Sequence, residues 1–155
     1  MNQFLVRLSE LQKKYGVNAL LENMPWAVRP KLLREYLPYP ADTCEPQKVF
    51  EATKRFGLGM TLDTSHSFTS KPHRQKWFPV VFPSIKNIHL SSFAEGRDHL
   101  PLDMGDLDTA GLVEELKSRN YQGLITLEIF YPKKISLRSY DFDSIRRSIN
   151  LVKKL

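Results

Sequence analysis

The sequence predicts an α/β protein built on a parallel sheet, and three observations carry that prediction. Short apolar runs alternate with helical stretches along the whole chain, in the order helix, then strand–helix four times. Such alternation implies parallel pairing with right-handed crossovers. The runs are near-continuously apolar, as strands covered on both faces are. Each run also ends in, or carries, a side chain able to hold a metal.

The elements follow in order. Phe4, Leu5, Leu8, Leu11 and Tyr15 recur at helical spacing, so residues 2–15 form a helix that closes at Gly16. "VNALLEN" (17–23) has the length of a buried strand. A loop with Pro25, Pro30, Pro38 and Pro40 follows. In "EPQKVFEATKRF" (45–56), Pro46 suits a first turn, Val49, Phe50, Ala52 and Phe56 make an apolar face, and Gly57 ends the helix. "LGMTLD" (58–63) is the second strand. "KWFPVVFPSIK" is ambiguous, because Pro79 and Pro83 break any long helix. "NIHLSS" (87–92) is the third strand, and a loop with Gly96 and Gly105 leads to Asp108, the cap of a helix carrying Leu112, Val113 and Leu116. "LITLEIF" (124–130) is the fourth strand. The last helix begins near Asp141 or Asp143 and buries Ile145, Ile149 and Val152.

Composition narrows the function classes. The 155 residues, 41% hydrophobic and 26% charged, suit one domain, 1–155, with its own core. No run approaches the ~18 apolar residues of a membrane span, so no membrane partner is expected. The single cysteine, Cys44, excludes an internal disulfide, fits a reducing cytoplasm and reads as a bystander thiol. A net charge of +6 is compatible with anionic partners such as sugar phosphates or nucleic acid. The basic residues are scattered, with "KPHRQK" (71–76) the densest cluster, which favours a solvated basic surface.

The strand ends carry the chemistry. The first run ends at Glu22, the second at Asp63 with His66 just beyond, the third carries His89 and the fourth Glu128. In parallel α/β folds the strand C-termini converge on one rim, where ligands sit. Singly, each residue has a plain structural role: a strand-end acid as a cap or ion-pair partner, Asp63 as the cap of "DTSH", His89 as a satisfied core histidine. Four such residues at equivalent places argue for one site. Acids among Leu, Ile and Phe are costly unless paired or metal-bound. Three carboxylates and one imidazole suit one hard divalent ion: Mn2+, Mg2+, Co2+ or Zn2+.

"LLENMP", "LDTSH", "NIHLSS" followed by "DHLPLDMGDLD", and "LITLEIF" together resemble the second half of the xylose-isomerase-like barrel superfamily. That group holds sugar (phosphate) isomerases and epimerases and the endonuclease IV type of abasic-site nuclease. The resemblance implies a parallel (βα)4 half of a TIM barrel. It implies a metal on Glu22, Asp63, His89 and Glu128, substrate contact by His66, and Glu22 and Glu128 as the acid–base pair of a reaction through an enediolate. Arg97 falls later than the arginine the epimerases place after the third-strand histidine. Its alternative is an exposed loop residue. His99, in "HLPLDMG", resembles a family loop that lines the site or contributes to a second metal position. Trp26 is a candidate cover for a sugar face, with a core position as the alternative.

The nuclease branch matches Glu22, Asp63, His66, His89, His99 and Glu128. It wants an Asp where Arg97 stands, and two histidines from the front half of the barrel. His73 is a poor substitute for them. A complete barrel takes about 250 residues. Four parallel strands leave two open edges. A homodimer is the first expectation, because it covers both edges. A second chain supplying the other half, a truncated product and a non-catalytic half-barrel subunit are the alternatives.

Overall fold

A computed structural model describes residues 2–25, 46–69, 77–94, 97–130 and 142–153. Trp26, Cys44, His73, Gly96, Asp141, most of the proline-rich loop and the "KPHRQK" cluster lie outside the described residues.

The elements are α1 (Asn2–Tyr15), β1 (Leu20–Glu22), α2 (Pro46–Phe56), β2 (Gly59–Asp63), α3 (Thr64–Thr69), α4 (Trp77–Val81), β3 (Ile85–Leu90), β4 (Ser92–Ala94), β5 (Arg97–Leu100), α5 (Thr109–Ser118), β6 (Leu124–Leu127) and α6 (Phe142–Val152). Strands β1-β2-β3-β6 form one sheet in that order, and each adjacent pair is parallel. The predicted parallel sheet with helices between its strands is therefore present.

Local signals explain most boundaries. Gly16 and Gly57 both have φ of +64°, the left-handed geometry that ends α1 and α2 at little cost only for glycine. Asp108 accepts from Gly111 N at 2.9 Å and caps α5. Pro79 sits in the first turn of the five-residue α4, where a missing N–H loses no helical bond. Gln12 fastens α1 to its neighbours: its Nε2 donates to Gly57 O at 2.7 Å and its Oε1 accepts from Ala19 N at 2.9 Å.

The core lies between the helices and one face of the sheet. Met60, Leu62, Ile88 and Leu90 pack with Val49, Val81, Ile85, Leu102 and Leu116 in one buried cluster. Alternation along the strands then places Thr61, Asp63, Asn87, His89 and Thr126 on the opposite face. Thr126 Oγ1 donates to Asn87 Oδ1 there at 3.2 Å. The expectation that both faces are covered is thus corrected: β6 alternates between exposed and half-buried residues, and Leu124 is 70% exposed.

Four further expectations change. β3 begins at Ile85, not at residue 87, and ends at Leu90. β6 stops at Leu127, so Glu128 stands just past the strand. The expected loop after β3 holds an antiparallel pair, β4 with β5. α6 buries Ser144 and Ser148, while Ile149 is 39% exposed. Val152 packs partly buried against the core with Leu151, and polar contacts add to the docking: Leu102 N donates to Ser148 Oγ at 3.0 Å, and Ser144 Oγ and Arg147 Nε donate to the Asp103 carboxylate.

Candidate metal centre

The sheet register assembles the centre. Glu22 lies opposite Thr61, Asp63 opposite His89, and His89 opposite Thr126. Glu128, two residues past Thr126, comes up on the same face, and its N donates to Leu90 O at 3.2 Å to extend the β3–β6 ladder. One ligand atom from each of Glu22, Asp63, His89 and Glu128 lies within 4.8 Å of the others. Ligands held roughly 2.0–2.4 Å from a shared cation stand at most about 4–5 Å apart. The donor set therefore fits a single divalent ion.

Orphaned polar atoms point the same way. Asp63 Oδ2, His89 Nδ1 and Glu128 Oε2 are buried with no hydrogen-bond partner. His89 Nδ1 and Glu128 Oε2 are 2.6 Å apart yet not aligned as donor and acceptor. Buried polar groups are paired in the great majority of cases, because an unpaired one costs about 1–3 kcal/mol. Three on one spot are a donor set that a divalent cation would fit.

The charges are set by mutual contact. Burial pushes the Asp63 carboxyl up to about 6, with Glu22 adding to the rise and His66 and His99 opposing it. Burial would also raise Glu22. The hydrogen bond from His66 and the charges of His89, His66 and His99 outweigh it and hold that carboxyl below its usual value. Burial would lower His66, but the Glu22 hydrogen bond and the Asp63 charge raise it instead. His66 Nδ1 stands 3.4 Å from Glu22 Oε1 and 3.7 Å from Asp63 Oδ1.

His66 and His99 form a second group beside the first, and Asp63 belongs to both. His66 Nδ1 faces Asn23 O at 2.9 Å, and His99 Nδ1 faces Glu128 O at 3.3 Å. A carbonyl only accepts, so each Nδ1 carries its proton. Two neutral rings would then direct lone pairs at each other across the 3.3 Å between their Nε2 atoms. One added proton or a bound cation relieves that conflict. The β4–β5 pair delivers His99, whose φ of +51° is unusual for a non-glycine residue. Ser65 Oγ accepts from His99 N at 3.0 Å and holds it there.

Comparisons with known proteins agree with the fold. The profile described as "Xylose isomerase-like TIM barrel" matches residues 3–155. The chain belongs to the xylose isomerase-like TIM barrel family. An uncharacterized protein of Methanocaldococcus jannaschii is 25% identical over 129 residues, covering 82% of this chain and 43% of its own. The crystal structure of 3-keto-D-glucoside 4-epimerase, YcjR, from E. coli superposes with a TM-score of 0.69 at 13% identity, over 97% of this chain and 51% of that one. A D-tagatose 3-epimerase-like protein superposes with a TM-score of 0.62 at 21% identity, again over 97% and 51%. The chain thus spans about half the length of these xylose isomerase-like barrels.

Within this half of a xylose isomerase-like barrel, the structure brings together Glu22, Asp63, His89 and Glu128, and places His66 and His99 beside them. It does not bring Arg97 in with them: Arg97 begins β5 and is exposed. Trp26 lies outside the described residues. Sequence reading passed over Asn23, Thr64, Ser65 and Ser91, all buried around the centre. Their signal was weak but present: "LEN", "DTS" and "LSS" are polar clusters directly after apolar runs.

Proposed function

We propose that this chain is the metal-binding half of a divalent-metal-dependent sugar or sugar phosphate isomerase or epimerase. The observation that carries the reading is the convergence of four donor atoms within 4.8 Å at adjacent strand tips. The likeness to the two barrels named for sugar epimerisation supports the substrate class. Glu22, Asp63, His89 and Glu128 would hold one Mn2+, Mg2+, Co2+ or Zn2+, whose Lewis acidity acidifies protons next to a carbonyl. The chain's own residues move the proton. One of Glu22 and Glu128 takes it from the carbon beside the carbonyl, and the bonding pair passes into an enediolate. The other returns a proton to the opposite face or, for an isomerase, to the neighbouring carbon. His66, whose pKa the Glu22 hydrogen bond and the Asp63 charge raise, would contact a substrate oxygen, and His99 borders the same space. Arg97, on the exposed start of β5, is a candidate contact for a substrate phosphate, and Trp26 is a candidate cover for the sugar ring. A second copy of the chain, or a separate front half, completes the substrate pocket.

A second reading draws on one specific observation, the Asp63–His66–His99 group beside the main centre. That pair of sites favours an endonuclease IV-like enzyme with several zinc ions. A non-catalytic half-barrel subunit would bind metal without turnover. One experiment separates the three: elemental analysis of the purified chain, with ketose C3-epimerisation and abasic-site cleavage assayed side by side. About one metal per chain with sugar turnover supports the first reading. Several zinc ions with strand cleavage overturn it in favour of the second, and metal without either activity leaves the subunit.

A further inference from the structure

We propose that Asn23 is the positioning residue of the metal centre, setting the separation of Glu22 and Asp63 through its side-chain amide. The inference rests on the metal-binding reading above.

β1 ends at Glu22, and its last ladder pair is Glu22↔Thr61. Two residues further along β2 stands Asp63, which β3 holds on one side through the Asp63↔His89 pair. On the other side no strand residue of β1 reaches it. The Asn23 side chain does so instead. Its Oδ1 accepts from Asp63 N at 2.7 Å and its Nδ2 donates to Asp63 O at 3.0 Å. A side-chain amide thereby reproduces the donor–acceptor pair of a peptide group and adds one rung to the sheet after the strand has ended.

The same residue reaches the rest of the centre. The Asn23 carbonyl faces His66 Nδ1 at 2.9 Å and fixes which ring nitrogen carries the proton. Its Nδ2 lies 3.3 Å from Ser67 Oγ, which itself donates to Asp63 O at 2.7 Å. Glu22 is its neighbour in the chain. Asn23 is fully buried, so its side-chain amide is held by these contacts and not by water. A ligand set held by partners of this kind loses little entropy on binding a cation. Removing such outer partners typically weakens metal affinity 10–100-fold.

The test is a Mn2+ titration of the metal-stripped 155-residue chain, with free ion read by electron paramagnetic resonance. Circular dichroism confirms folding at the titration temperature. Asn23→Ala is expected to bind Mn2+ about 10–100-fold more weakly than wild type. Asn23→Ser, which keeps one hydroxyl near Asp63, is expected between the two and covers the case in which the alanine variant does not fold. The control is Thr53→Ala. Thr53 is as deeply buried, donating to Phe50 O at 2.7 Å with Ser84 Oγ 2.8 Å from the same hydroxyl oxygen, on the far side of the core. It is expected to lower thermal stability while leaving the Mn2+ affinity unchanged. Folded Asn23 variants that bind Mn2+ as wild type does, or a Thr53 variant that weakens it equally, overturn the assignment. A wild-type chain that takes up no Mn2+, Co2+ or Zn2+ overturns the metal reading itself, and this inference with it.

Discussion

Asp63 gives its two carboxylate oxygens different work. Oδ1 accepts the His66 backbone N–H at 2.7 Å, so the capping role legible in "DTSH" is real. Oδ2 is left buried and unpaired, facing the other donors. Cap and candidate ligand are therefore one residue. "LEN" marks Asn23 only as a polar residue after an apolar run, and its role is not legible there because its partner stands 40 positions away. The pH response follows from the same residue. Burial raises the Asp63 carboxyl from its ordinary 3.8 to about 6. A raised folded-state value favours the neutral form, so the contribution of Asp63 to the stability of the metal-free fold is present in acid and is lost as pH rises through about 6, on the order of 3 kcal/mol. His66, also raised, works in the same direction; Glu22, lowered, acts only in more acid solution. The groups around Asp63 are Glu22, His66, His89, His99 and Glu128. A divalent cation removes the burden of the buried charge, so Mn2+ should raise the melting temperature more at pH 7.5 than at pH 5.5. Equal shifts at both values would refute this account. For Glu128→Gln we expect turnover to be abolished and bound metal to fall at least tenfold, since a neutral amide replaces a charged ligand. Unchanged metal content in that variant would remove Glu128 from the ligand set.

Elements were legible in proportion to how local their signals are. The helix from Asp108, the glycine stops at 16 and 57, and the apolar strands are written in neighbouring residues. The β4–β5 pair was not, because "SSFAEGRDHL" lacks any long alternation and the pair is held from outside. Ser65, in α3, is the fastening: its Oγ accepts from His99 N at 3.0 Å, lies 2.8 Å from Ser91 Oγ and donates to Ser92 O at 3.0 Å. The α6 face failed for a related reason. Its apolar residues alone suggest that Ile149 is buried, whereas the contacts with Leu102 and Asp103 turn Ser144 and Ser148 inward. Ser65→Ala should cost about 1–3 kcal/mol, since it strands a buried N–H and a buried carbonyl. Urea unfolding measures the loss, and a cost below about 0.5 kcal/mol would show that the pair is held elsewhere.

At the scale of the whole molecule, the large exposed apolar side chains among the described residues fall in two groups, with Met104 apart from both. Phe4, Val6, Tyr15 and Val17 belong to α1 and the approach to β1; Leu124, Phe130, Phe142 and Ile149 belong to β6, its extension and α6. These are the two outer ends of the β1-β2-β3-β6 sheet. The parallel strand edge of β6 in one copy and that of β1 in another are complementary, and two copies related by a twofold axis would close eight strands with two identical seams. The chain's +6 charge opposes such pairing. The edge helices soften the repulsion, because Arg7 pairs with Glu10, Arg146 with Asp143 and Arg147 with Asp103. If two copies pair in this way, added salt should tighten the pairing by screening the net charge while leaving the apolar seams intact. Leu124 is 70% exposed at one seam, and burying such a side chain is worth about 2 kcal/mol. Leu124→Lys acts at both seams at once, so it should weaken association by about 4 kcal/mol, close to a thousandfold. Light scattering over a concentration series reads the result. Wild type is expected at twice the chain mass, and Leu124→Lys at the chain mass with unchanged circular dichroism. A wild-type chain that stays monomeric at high salt would leave the second half of the barrel to a different polypeptide.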